Sequence, residues 1–121
     1  MSQPNVAPQV GEAWGFLREG RYDDAGRIFD EVIHTIPNDV DAYYGLGLVY
    51  RASGKEGEAI ESFQKALEIA KELLAVLRSQ LGVNGEHVSS LEALETTQDD
   101  RYMMLIRMIR QRLAELGAKA T

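Results

Sequence analysis

The sequence predicts an all-α fold, a short array of antiparallel helix-turn-helix units, and three observations carry that reading. The chain matches itself at an offset of 34 residues, a period that belongs to stacked helical hairpins. Apolar residues recur every three or four positions through most of its length, the spacing of one helix face. Glycine and proline fall between these periodic stretches, where helices have to stop.

The self-match pairs Gly11 with Gly45, Gly20 with Gly54, Ala25 with Ala59 and Phe29 with Phe63. It also pairs Ala13 with Gly47, Phe16 with Tyr50, Arg21 with Lys55 and Ile33 with Leu67. Five of these pairs have a clear physical task. Gly20 and Gly54 sit where a first helix ends, because glycine takes the left-handed conformation of a helix stop without strain. Small residues at 13/47 and 25/59 let two antiparallel helices approach, and the large rings at 16/50 and 29/63 fill the space beside them.

Taken in order, the helices are expected over Pro8 to Glu19, Tyr22 to Ile36, Asp39 to Ser53 and Lys55 to Gln80. Pro37 ends the second, and Asn38-Asp39 supplies side chains that cap the third. The fourth is long because Ile60, Phe63, Leu67, Ala70, Leu74, Leu77 and Leu81 keep one face apolar until Gly82 stops it. Val83 to Gln98 is polar, opens with an Asn84-Gly85 turn signal and holds a short helix around Val88 to Leu94. A last helix is expected from Gln98 to Leu116, with Thr97 and Asp100 as its capping residues. Its acidic start and its Arg107, Arg110 and Arg112 follow the helix dipole. The expected organisation is one domain over residues 1–121: repeat units at 6–39 and 40–73, then an extended helix, polar loop and capping helix at 74–121.

The second unit reads Tyr43-x-x-Leu46-Gly47-x-x-Tyr50, Gly54, Ala59-x-x-x-Phe63, Ala66. This constellation resembles the tetratricopeptide repeat family. The first unit keeps Ala13, Phe16, Gly20, Tyr22, Ala25, Phe29 and Pro37, but has Gln9 and Glu12 where the family has large apolar residues. Those two are expected to face solvent. In the second unit Glu56 replaces an aromatic, and Lys71 stands in place of the terminal proline, so the helix is free to continue. The resemblance covers roughly residues 6 to 73.

The resemblance implies a protein-interaction module whose first helices line a concave surface for a partner's peptide or helix. On that surface Val10, Trp14 and Leu17 form one stripe of the first helix, and Tyr44 and Leu48 one stripe of the third, with Arg18 and Arg51 at the edge as anchors for an acidic group. The stripe is either such a groove or core covered by the chain's own last helix or by a second copy. Tyr102, Leu105, Ile106, Ile109, Leu113 and Leu116 give the last helix one apolar face, while Met104 and Met108 mark another, a candidate interface for self-association. One branch of the family clamps acidic carboxyl-terminal chaperone peptides with Lys, Asn and Arg. Here those positions read Val10, Trp14, Tyr44 and Leu48, so the clamp is missing.

Other classes are set aside by chemistry. The 121 residues carry a net charge of -6, unfavourable for a phosphate backbone, so no nucleic acid is expected as a partner. The charge is uneven, at -10 over residues 1–100 and +4 over residues 101–121; an acidic body and a basic tail suit either intramolecular docking or contact between copies. No apolar run reaches bilayer length, and the first eight residues lack a signal core, so no membrane association and a cytoplasmic location are expected. There is no cysteine, which removes disulfides and thiolate chemistry. His34 and His87 lack a ligand cluster of metal-binding spacing. Gly45-x-Gly47 lies inside a helical unit and lacks the third glycine of a nucleotide loop, and Ser89 and Ser90 have no elbow around them. The chain is therefore expected to be no enzyme and to use no metal or cofactor.

Overall fold

A computed structural model describes residues 6–80 and 89–117, with side chains over 6–79 and 100–117. Five helices follow one another: α1 (Ala7–Arg18), α2 (Tyr22–Thr35), α3 (Val40–Ala52), α4 (Glu56–Gln80) and α5 (Ser89–Glu115). No strand occurs among the described residues.

The two hairpins close with the same hydrogen bonds. Gly20 and Gly54 are left-handed, with φ of +80° and +79°. Past each, the Arg21 amide donates to Phe16 O at 2.8 Å and the Lys55 amide to Tyr50 O at 2.8 Å, the long bond of a glycine-terminated helix. The sequence repeat is thus a repeat of backbone geometry. Between the units Ile36 turns extended ahead of Pro37, as a residue before proline does, and Asp39 Oδ1 accepts the Ala42 amide at 3.0 Å to open α3.

Two apolar clusters form the core, and α3 belongs to both. Ala25, Ile28, Phe29 and Val32 of α2 meet Ala13 of α1 and Ala42, Leu46 and Val49 of α3. On the opposite side, Val40 and Tyr44 of α3 meet Ala59, Phe63, Ala66, Leu67, Ala70 and Leu74 of α4 and Ile106, Ile109 and Leu113 of α5. Phe29 and Phe63 are fully buried, each contributing about 2–3 kcal/mol by removal of its ring from water. Gly45 faces the ring of Phe29 and Gly47 that of Phe63. Two residues apart on a helix means nearly opposite faces, so α3 is gripped from both sides at points where only a hydrogen fits. Gln9 and Glu12 are exposed, as their polarity requires.

Lys71 is exposed and α4 runs on past it for nine residues to Gln80; with no proline there, the backbone ladder continues. The last helix departs from expectation. It starts at Ser89 rather than Gln98 and takes in residues 89–94 of the short helix expected at Val88 to Leu94, Val88 itself lying outside the described residues. Thr97 and Asp100 therefore lie inside α5 rather than at its start. Residues 91–98 contain strong helix formers and no glycine or proline, so nothing in them stops a helix once begun. The Asn84-Gly85 turn, the stop at Gly82, Leu81 and His87 lie outside the described residues.

The C-terminal half of α5, with Leu116 just past its end, packs into the cluster of α3 and α4 through the six apolar residues expected of it. Two ion pairs to α3 report its direction: Arg101 Nη2 lies 3.9 Å from Asp41 Oδ2, and Arg51 Nη1 lies 2.9 Å from Glu115 Oε1. Low numbers meet low and high meet high, so α5 runs parallel to α3. It takes the place that the first helix of a further repeat would occupy.

Candidate concave interaction face

The stripes expected on α1 and α3 lie side by side. Trp14 sits edge-on to Phe29, with ring centres 5.3 Å apart, and 6.4 Å from Tyr44, which in turn is 5.6 Å from Phe63. Four aromatic rings thus run from α2 through α1 and α3 to α4, and Trp14 packs against both core clusters.

Exposure divides the candidate residues. Tyr44 is only 8 % exposed and belongs to the core, and burial raises its phenol pKa above the usual value. Val10, Trp14, Leu17 and Leu48 are half-buried. Arg51 is half-buried and held by Glu115. Met104 and Met108 are 57 % and 37 % exposed.

An open cleft of about 480 Å³ lies on this face, floored by Val6, Val10 and Trp14 and bordered by Asp39 and Asp41 at the start of α3. Beyond the two aspartates a smaller recess of about 230 Å³ reaches Leu73, Arg101 and Tyr102. The Asp41 carboxyl is held above its ordinary range, first by burial and next by the charge of Asp39, with Arg101 pulling the other way. At the opposite end of α3, Glu115 is shared: its Oε1 takes Arg51 and its Oε2 takes Arg112 Nη2 at 2.8 Å.

Met104 and Met108 stand on the flank of α5 that turns toward α3. They are three and seven residues after Arg101 and eleven and seven before Glu115, spacings that keep all four on one side of a helix. Met103, on the other flank, instead receives Arg78 Nη2 at 3.8 Å from α4. Sequence reasoning set these two methionines on a second face of the last helix, apart from Tyr102 and its apolar neighbours; where that face looks depends on the direction of α5, which the spacing alone does not give.

The glycines of Tyr44 to Tyr50 serve helix packing, as described above. Among the described residues no group of three or more His, Asp and Glu stands together as a metal site, and none of their helices is long and apolar enough to cross a membrane. His34 is exposed at the end of α2, its Nδ1 lying 2.8 Å from Asp30 O.

No curated protein matches the sequence. The tetratricopeptide repeat model matches residues 10–73, the span of both hairpins up to the point where α4 continues beyond the repeat. By that match, and by the duplicated hairpin geometry, the chain belongs to the tetratricopeptide repeat family.

Proposed function

We propose that the protein is an adaptor that binds a peptide or helix of another protein on the concave face of α1 and α3, through Val10, Trp14, Leu17 and Leu48. Repeats of this family generally mediate protein–protein contact and are generally non-catalytic. The observation that supports the reading is the open cleft over Val10 and Trp14, an apolar floor with acidic borders that can bury a ligand's apolar side chain while polar groups fix its position. The test is selection of peptides on the wild-type chain, followed by calorimetry on Val10→Glu and Leu48→Glu variants. Loss of binding with unchanged helicity supports the groove; full retention sinks it.

A second reading is self-association, with α5 of one copy against another. It draws on the exposure of Met104 and Met108, since neighbouring large apolar side chains left in water favour contact. Light scattering across protein concentration separates the two. A dimer that Met104→Glu dissociates supports self-association, and a monomer throughout leaves the adaptor.

A further inference from the structure

The side shared by α1, α3 and α5 carries uncovered apolar surface and charges of opposite sign at its two ends. The apolar surface comes from Val10, Trp14 and Leu17 of α1, Leu48 of α3, and Met104 and Met108 of α5. At the amino-terminal end of α3, Asp39 and Asp41 are faced by one cation, Arg101, at 3.9 Å from Asp41. At the carboxyl-terminal end, Arg51 and Arg112 share the single carboxylate of Glu115, and Arg112 Nε is buried without an acceptor among the described residues. Among these six side chains the imbalance is one negative charge at one end and one positive at the other. Asp41 and Arg51 are ten residues apart, about 15 Å along the helix.

Resting on the adaptor reading above, we infer that this face takes an amphipathic partner helix, apolar side down, with acidic residues in its first turn and basic residues in its last, lying antiparallel to α1, α3 and α5. A helix fits because these side chains lie on helices that run parallel, along which a partner's residues at i, i+4 and i+7 reach successive contacts. The flexible methionines adapt to its shape. Charge sets the direction: the partner's basic end meets Asp39 and Asp41, and its acidic end meets Arg51 and Arg112. This is the charge order a free helix itself prefers, and an antiparallel helix also sets its dipole against those of the helices beneath it. A cation beside Asp41 answers a carboxylate that burial and Asp39 make costly to ionise.

The probe is a synthetic peptide of about fourteen residues, ~20 Å long as a helix, with a leucine stripe, two glutamates at the start, two lysines at the end and a nitroxide on its amino terminus. A companion carries glutamine at all four charged positions. The charged peptide is expected to gain helicity on binding, to bind about tenfold more tightly than its companion in low salt, and to broaden the amide signals of Arg51 and Ala52 rather than those of Val40 and Asp41. Equal affinity of the two peptides, broadening at Val40 and Asp41, binding without gain of helicity, or a protein dimer that occupies the face and excludes the peptide each overturns the inference. If both peptides bind equally at Val10, Trp14 and Leu48, the groove stands and its charge order falls. If neither shifts those residues, the groove reading falls as well.

Discussion

Gly45 of α3 lies directly against the ring of Phe29 on α2, so that a methyl group added to the glycine would fall on the ring itself. Phe29 is fully buried and has nowhere to move. Gly45→Ala is therefore expected to lower stability by about 2 kcal/mol, overpacking outweighing the roughly 1 kcal/mol that alanine returns as the better helix former. Gly11→Ala, its counterpart in the first unit, meets open space and is expected to raise stability by about 0.5–1 kcal/mol. Chemical denaturation of the two variants checks the contrast.

Gly20 and Gly54 are constrained differently. Nothing lies within 4 Å of a Cβ placed on either, so only the backbone is at stake. Alanine at either position is expected to cost about 1 kcal/mol through its left-handed conformation alone, with asparagine less harmful. Thermal unfolding should show Gly20→Asn melting between wild type and Gly20→Ala.

Trp14 is half-buried, yet it is packed against both clusters. Trp14→Ala is expected to cost about 2 kcal/mol, less than a fully enclosed ring and more than a surface one. Leu48→Gln, on the same face, should cost less. If Trp14→Ala instead leaves denaturation unchanged, the ring contributes nothing to the core.

Met104→Glu with Met108→Glu should leave folding intact, with a change within about 0.5 kcal/mol, because both side chains are exposed. The same pair should weaken a ligand of the concave face by about tenfold, since it places charge on apolar surface. Calorimetry beside thermal melting reads both effects on one preparation.

Asp41 yields a prediction in pH. Its pKa in the folded chain lies above the ordinary 3.8, so the ionised form is penalised by folding and the folded state holds the proton more firmly than the unfolded one. The penalty is present at neutral pH and fades as pH falls through the raised pKa. Asp41→Asn is expected to melt above wild type at pH 7, with the difference closing on acidification. A constant difference from pH 7 to pH 3 would show that lost packing or the lost Arg101 contact dominates instead.

The first four helices were legible in the residues because their ends are written in local chemistry. Gly20, Gly54, Pro37 and Asp39 each act through their own backbone or through a neighbour three residues away. The start of α5 was not legible, because a capping pair such as Thr97 and Asp100 works only where the chain enters a helix from outside, and here it is already helical. Likewise, the stripe of Val10, Trp14 and Leu17 followed from spacing alone. The burial of Tyr44 was not legible in the same way, because the residues of α4 and α5 that cover it come from far along the chain.

Trp14 is also the single tryptophan of the chain. Its indole stands where both clusters meet and borders the cleft, so its ultraviolet emission has two separable sources of change. Opening of either hairpin shifts it to the red as water reaches the ring, whereas an apolar guest over Val10 shifts it to the blue. The protein thus carries a built-in optical probe that tells occupancy from unfolding by colour, without a label.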